Sequence, residues 1–168
     1  NDIKKIYFLL FKNNFFIDLH ENNHDDSLNM KDFLILSMYL FQALNRDNYL
    51  NTSEKQTFLS EIQKRFDKIK PAHKWGFTMS KCKIGRDQWS CQNHTYSHQL
   101  TRTLYGATFG SSKDYAMGEK MYKFAIDDLK PDGALWREAV RGRWSWSYYA
   151  HTLGLLLSIA EIYKHNGV

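Results

Sequence analysis

Apolar residues recur at spacings of three and four along much of the chain, which is the periodicity of one face of an α-helix. This pattern predicts an amphipathic helix from Leu28 to Leu44, with Ser27 placed to cap its start. The apolar run at residues 3–17 predicts either a helix or a buried strand. The positions that we expect to face inward on the 28–44 helix are Phe33, Leu36, Tyr39, Leu40 and Leu44.

A further helix is predicted to begin at Ser53, where the S-E-K-Q stretch offers a capping box with Gln56. Pro71 is expected to end this helix. Residues 72–92 are then long, polar and irregular, and loops of that length in a compact domain are usually functional or disordered. The expected inward positions of this helix are Phe58, Leu59, Ile62, Phe66 and Ile69.

The second half of the chain predicts three more helices. One helix is predicted from about Asn93 to Phe109, and it is ended by Gly110 and Ser111. The next covers residues 112–129. After a K-P-D-G-A turn, residues 135–146 are expected to form a short and partly extended piece. The last helix, over about residues 147–164, is apolar on nearly all sides and is therefore expected to lie centrally.

These elements predict an all-α fold of paired antiparallel helices forming a single domain over residues 1–168. Stacked helical hairpins build either an open solenoid or a closed α/α toroid. No strict repeat of about 20–50 residues is visible, so we favour an α/α toroid, or the C-terminal half of one.

The net charge of the chain indicates which classes of binding partner it favours. It carries 23 Lys and Arg against 18 Asp and Glu, a formal charge of +5, which favours an anionic partner. No run of five or more basic residues occurs, so a nucleic-acid partner is not expected. No apolar stretch approaches the length of a membrane span. Cys82 and Cys91 could close a small disulfide ring, as suits an exported protein, or remain two free thiols.

His94 and His98 are four residues apart on one helical face, a spacing at which two imidazoles can bind one zinc ion. The zincin pattern needs Glu directly after the first His, and this chain has Thr95 there. With no obvious third ligand, we expect no metal and no other cofactor.

Asn93 and His94 stand at the predicted start of their helix, where backbone N–H groups and the helix dipole favour an anion. A carboxamide and an imidazole at this place suit a carboxylate ligand. The structural alternative is that Asn93 is simply the N-cap residue, a common position for Asn.

A second cluster of functional groups precedes the last helix. Arginine binds carboxylates through two parallel hydrogen bonds, and flat aromatic rings stack on sugars. Together they describe a groove for an anionic chain molecule, although the aromatic residues could equally fill the core. The cluster comprises Arg137, Arg141, Arg143, Trp144, Trp146, Tyr148, Tyr149 and His151.

The motif W-S-C-Q-N-H-T-Y, followed about forty residues later by L-K-P-D-G-A-L-W-R-E and R-G-R, resembles the alginate lyase family of polysaccharide lyases. In that family a similar Asn-His element opens one helix, and a Tyr- and His-rich segment leads into a closing helix that ends in Ile-Ala-Glu. The resemblance covers roughly Trp89 to Glu161, and residues 1–88 are similar only as generic helical hairpins.

The resemblance implies an α/α toroid that cleaves a uronate-containing polysaccharide, such as alginate, by β-elimination without a metal. It implies that Asn93, His94 and an arginine neutralise the uronate carboxylate, while a Tyr, or a His and a Tyr together, transfers the proton. Arg143 and Tyr148, five residues apart near the start of the last helix, are our candidates for the arginine and the phenol. A phenol has a pKa near 10, so a phenol acting as a base near neutral pH needs an adjacent cation, here predicted to be Arg143. Substrate-binding roles are expected for Arg141, Tyr149, His151, Trp144, Trp146 and His98.

The sequence leaves three alternatives open. Aligned without gaps, the position where some relatives carry the catalytic Tyr falls on His151, so Tyr149 or His151 could replace Tyr148. A noncatalytic protein that binds acidic glycans would keep the same arginine and aromatic groove. A glycoside hydrolase would need two opposed carboxylic acids, for which Asp87 and Glu138 are the candidates. The substrate class and the cysteine pair favour a periplasmic or secreted location.

Overall fold

The computed structural model describes residues 2–14, 24–69, 82 and 91–166, with the side chains of the second range described from residue 28. Within these residues the chain is helical and divides into two compact units, residues 1–72 and 73–168. The predicted all-α class with paired helices is confirmed. The helices are α1 (Asp2–Lys12), α2 (His24–Arg46), α3 (Thr52–Ile69), α4 (Asn93–Phe109), α5 (Ser112–Asp127), α6 (Trp136–Ala139), a 3₁₀ helix (Gly142–Trp144) and α7 (Ser145–His165).

The core of the N-terminal unit is a cluster of aromatic rings contributed by α1, α2 and α3. The Tyr7 ring stacks on Phe33 and Phe58, with centroids 5.8 and 6.0 Å away. Phe11 meets Phe58 edge to face at 5.0 Å, and Phe41 also contacts Phe58. The apolar run near the N-terminus is therefore helical over residues 2–12; residues 15–17 of that prediction lie outside the described residues.

The predicted start and buried face of α2 need correction. The helix begins at His24, so Ser27 lies inside it rather than capping it. Phe33 and Leu44 are buried as predicted, but Leu36 is 60% and Tyr39 is 37% exposed. The face rotates because the rings of α1 and α3 pack against Phe33 and Phe41. The buried stripe is Met30, Lys31, Phe33, Leu34, Ser37, Met38, Phe41 and Leu44.

The capping box of α3 is also displaced from its predicted place. The Asn51 side chain accepts from the Glu54 backbone N–H, and the Glu54 carboxylate accepts from the Asn51 N–H, both at 2.9 Å. The predicted Ser53–Gln56 box is therefore wrong, because the helix begins at Thr52. Phe58, Ile62, Phe66 and Ile69 are buried as predicted, whereas Leu59 is only half-buried. Pro71 and most of the predicted loop 72–92 lie outside the described residues.

Helix α4 forms the middle of the C-terminal unit, where it packs against both α5 and α7. Gly110 adopts a left-handed φ of 74° at the end of α4, and Ser111 caps α5 by accepting from the Asp114 N–H. Two glycines allow α4 and α5 to approach closely. A Cβ on Gly106 would lie 2.3 Å from the Tyr115 backbone N, and a Cβ on Gly118 would lie 2.3 Å from Thr103 Oγ1.

The segment between α5 and α7 is more helical than predicted. Instead of an extended piece it forms α6 and the 3₁₀ helix, because backbone hydrogen bonds close successive turns from Leu135 onward. Helix α7 begins at Ser145 and buries one face only: Leu153 and Leu157 are 42% and 57% exposed, so the predicted fully central position is wrong. None of the helices in the described part of the chain is long and apolar enough to cross a membrane.

Candidate functional site

The start of α4 is anchored by a disulfide bond. Cys91, which is fully buried, is bonded to Cys82, so the disulfide alternative is confirmed. The next residue, Gln92, is extended and occupies the N-cap position, with its carbonyl accepting from the Thr95 N–H at 2.7 Å. Asn93 is therefore the first helical residue, and its predicted alternative role as the N-cap is wrong.

A buried ion pair ties α6 to the turn that follows α5. Arg137 is 3% exposed; its Nε donates to Asp128 Oδ2 at 2.9 Å, and its guanidinium lies over the Phe124 ring. Arg137 thus fixes the turn that follows α5 and does not face a groove. Gly133 adopts a φ of 82° in this turn, and its carbonyl accepts a hydrogen bond from the Tyr149 hydroxyl at 2.9 Å.

Glu138 connects α6 to the first residue of α4. Its Oε1 accepts the Asn93 backbone N–H at 2.6 Å, and the side chain is 1% exposed. Burial raises the pKa of Glu138, and the Asn93 N–H, the Arg141 guanidinium and the Thr152 hydroxyl partly offset that rise. The sequence predicts a ligand anion at this helix start, but the carboxylate bound to the Asn93 N–H is the protein's own.

Arg141 joins the two predicted clusters into one site. Its Nη1 donates to Gln92 Oε1 at 2.5 Å and lies 3.4 Å from Asn93 Oδ1. The same nitrogen is 3.5 Å from Glu138 Oε2, and 17% of the Arg141 side chain remains exposed. The guanidinium is thus oriented by three neighbours while part of it stays accessible to a ligand.

The aromatic neighbour of this guanidinium is Tyr148. The Arg141 Cζ atom lies 3.8 Å from the centre of the Tyr148 ring, a close cation–π contact. The predicted partner of Tyr148 was Arg143, but the Arg143 guanidinium lies 5.2 Å from the Trp144 ring instead. Gly142, with a φ of 62°, turns the chain between the two arginines, so they point to different surroundings.

The other predicted site residues differ in how far their side chains are exposed to solvent. Trp144 and Trp146 are 56% and 81% exposed, so the alternative that they fill the core is wrong. His151 is exposed on α7 and His94 is half-buried. His98 is buried at 5% exposure, so its predicted contact with substrate does not fit the structure.

A second phenol, Tyr96, lies on α4 near Glu138. Burial raises the pKa of Tyr96 above its ordinary value, and the nearby Asp128 and Glu138 carboxylates raise it further. Burial and these carboxylates disfavour the Tyr96 phenolate, so Tyr96 is a poor candidate for a base.

Sequence patterns indicate no role for Gln92 and suggest Glu138 only as a hydrolase acid. A local signal was present, because Glu138 and Arg141 have the i, i+3 spacing at which side chains on a helix meet. Their contacts with Gln92 and Asn93 span 45 to 49 residues of sequence, which no local pattern reveals.

The Arg141 guanidinium, which has the Tyr148 ring against its face, can bind a carboxylate. The His94 imidazole lies on α4, the helix whose start Arg141 contacts. In the part of the chain that the structure describes, no group of three or more His, Cys, Asp or Glu side chains is placed to hold a metal ion.

Comparison with known proteins agrees with the resemblance. The family model described as alginate lyase matches residues 1–168, a longer stretch than the 89–161 region where the motifs lie. No curated protein and no solved structure matches the chain. The match covers the whole chain and is consistent with its all-α structure, so this chain belongs to the alginate lyase family.

Proposed function

We propose that this chain is a polysaccharide lyase that cleaves a uronate-containing anionic polymer, such as alginate, by β-elimination. The observation that carries the proposal is the position of Arg141 between the start of α4 and the ring of Tyr148. A guanidinium beside a phenol supplies both a charge that neutralises a carboxylate and a group that transfers a proton.

The difficult step is removal of the proton on the carbon that bears the carboxylate. As this proton leaves, negative charge moves onto the carboxylate oxygens, so a positive group aimed at those oxygens lowers the barrier. We assign this role to Arg141, in place of the predicted Arg143, because Arg141 contacts Gln92 and lies near the Asn93 amide. The imidazole of His94, the next residue of α4, assists it.

Tyr148 then acts as the proton-transfer residue. Its oxygen, as the phenolate, takes the proton from the carbon next to the carboxylate, and the electron pair forms a carbon–carbon double bond. The glycosidic bond on the adjacent carbon breaks, and the leaving oxygen takes the proton that Tyr148 has just accepted, which restores the phenolate. The Arg141 guanidinium packs against the face of this ring, so the base and the charge that neutralises the carboxylate lie side by side.

Tyr149 is a weaker candidate for this role. Its hydroxyl donates to the Gly133 carbonyl, which fixes it to the turn after α5. The Tyr149 hydroxyl therefore serves the structure of this turn in our proposal.

The exposed Trp144 and Trp146 rings support glycan binding near this site, since flat aromatic faces stack on sugar rings. This observation also favours the second candidate, a noncatalytic protein that binds acidic glycans. The disulfide between Cys82 and Cys91 supports a periplasmic or secreted location, where such bonds persist.

The experiment is incubation with alginate, glucuronan and related polymers, read by the ultraviolet absorbance of the unsaturated product. We expect product from the unmodified chain, and loss of activity by at least about 100-fold in Tyr148→Phe and His94→Ala. Tyr149→Phe is the matched control and retains activity within a few-fold. Salt-dependent glycan binding without any product would select the noncatalytic alternative.

A further inference from the structure

We propose that Glu138 is a positioning residue that orients Arg141 for the reaction. Its carboxylate binds the start of α4 with one oxygen and faces Arg141 with the other. The inference deepens the proposed lyase function and rests on it, because Glu138 acts on the substrate only through Arg141.

The geometry divides the two carboxylate oxygens between two tasks. Oε1 accepts the Asn93 N–H at 2.6 Å, which ties α6 to the first turn of α4. Oε2 lies 3.5 Å from Arg141 Nη1, which is also the nitrogen that donates to Gln92. One rigid side chain therefore sets the distance between the Asn93–His94 pair and the guanidinium.

Burial explains why Glu138 positions Arg141 and does not itself react. With 1% of its surface exposed, Glu138 does not reach a polymer bound outside. Arg141 retains 17% exposure of its side chain and can contact such a ligand. The hydrolase alternative, in which Glu138 donates a proton to a glycosidic oxygen, therefore does not fit its position.

A buried carboxylate opposite a guanidinium also restrains the arginine. Breaking a buried ion pair from one side leaves the other charge without its counter-ion, and the long arginine side chain then adopts other rotamers. A displacement of about 1 Å of a catalytic group can cost about 100-fold in rate. Glu138 thus has a large effect on catalysis without touching the substrate.

The kinetic test uses Glu138→Gln, which keeps an oxygen for the Asn93 N–H but removes the charge that faces Arg141. We expect kcat to fall by about 100-fold with a smaller change in KM. Asp114→Asn, in α5, is the control. It removes the carboxylate that pairs with Arg102 of α4 at 2.6 Å, and it should leave kcat unchanged. A Glu138→Gln variant that is folded and has the kcat of the unmodified chain would overturn the proposal.

A double-mutant cycle tests whether Glu138 acts through Arg141. If it does, Glu138→Gln has little further effect on kcat in an Arg141→Lys background, because the positioned group is already lost. If the two losses multiply, Glu138 acts independently of Arg141 and the inference is wrong.

A second measurement needs no enzymatic activity. The Asn93 amide should exchange its hydrogen slowly in the unmodified chain and in Glu138→Gln, and faster in Glu138→Ala, because only Ala removes the acceptor. Unchanged exchange in Glu138→Ala would refute the tie to α4. Absence of lyase activity on every polymer would instead refute the proposed function and leave this exchange result standing.

Discussion

The guanidinium carbon of Arg141 lies 3.8 Å from the centre of the Tyr148 ring, while Arg143, two residues further along, lies over Trp144. Gly142 separates the two arginines and adopts a left-handed φ of 62°. A single turn in the backbone thus decides which arginine meets the buried start of α4. Substituting each arginine in turn gives a matched pair of variants, because the two side chains have the same chemistry but different surroundings.

Arg141→Lys is expected to reduce kcat by about 100-fold or more, because a lysine cannot reproduce the oriented guanidinium that faces the developing charge. Arg143→Lys should change kcat by only a few-fold, since the Arg143 side chain is exposed beside Trp144. Initial rates on alginate at several concentrations measure both. The opposite order, with Arg143→Lys the more damaging variant, would return the catalytic role to Arg143.

The sequence predicted α4 and α5 closely because their boundaries depend on local signals. Gly110 ends one helix and Ser111 caps the next, and both are recognisable without any tertiary information. The four-residue helix α6 was missed because so short an element shows no periodicity. The buried face of α2 was misplaced at Leu36 and Tyr39 because that face depends on rings from α1 and α3.

The candidate site was predictable in its segments but not in its contacts. The motifs around Asn93 and Tyr148 pointed to two stretches of sequence that the structure brings into contact through Arg141. The proposed assignment of Arg141 instead of Arg143 rests on the backbone turn at Gly142, and the proposed role of Glu138 rests on its hydrogen bond to the start of α4. Neither feature can be recognised from the periodicity or the composition of the sequence.

Removing the disulfide bond is expected to lower the stability of the C-terminal unit. Cys82 and Cys91 close a loop with a sequence separation of 9, for which the chain-entropy model gives about 2.5 kcal/mol. The variant with both cysteines replaced by Ala should therefore unfold at lower urea concentration. The unmodified chain in reductant should show the same midpoint as this variant. Equal midpoints with and without the bond would contradict the prediction.

The close approach of α4 and α5 predicts two destabilising alanine substitutions. Gly106→Ala should cost about 3 kcal/mol, because its Cβ would meet backbone atoms of Tyr115 that cannot move independently. Gly118→Ala should cost less, since its Cβ meets the Thr103 side chain. Thermal unfolding measures both losses.

Two further variants test the steric cause. Thr103→Ala removes the two nearest atoms that the new Cβ would meet, so it should cost less stability in the Gly118→Ala background than in the unmodified chain. Gly154→Ala is the control: no atom lies within 4 Å of its Cβ, and the higher helix propensity of Ala should raise stability slightly. Additive losses for Gly118→Ala and Thr103→Ala would argue against the proposed clash.

The buried Lys31 in α2 predicts a pH dependence of stability. Burial lowers the pKa of Lys31 to about 7, and the neighbouring Asp32 opposes that fall. In the unfolded chain a lysine titrates near 10.4, so between about pH 7 and pH 10 the unfolded state binds more protons than the folded state. The Lys31 contribution to the free energy of unfolding should therefore rise with pH in this window, by at most about 1.4 kcal/mol per unit.

Lys31→Met removes the titrating group while keeping a long side chain for the core. We expect the variant to exceed the unmodified chain in stability near pH 7, with a difference that shrinks as the pH approaches 10. Lys68→Met, at an exposed position on α3, should show a difference that changes little over the same range. Urea unfolding at a series of pH values measures these differences, and a Lys31→Met difference that is flat from pH 7 to pH 10 would show that Lys31 keeps its proton throughout.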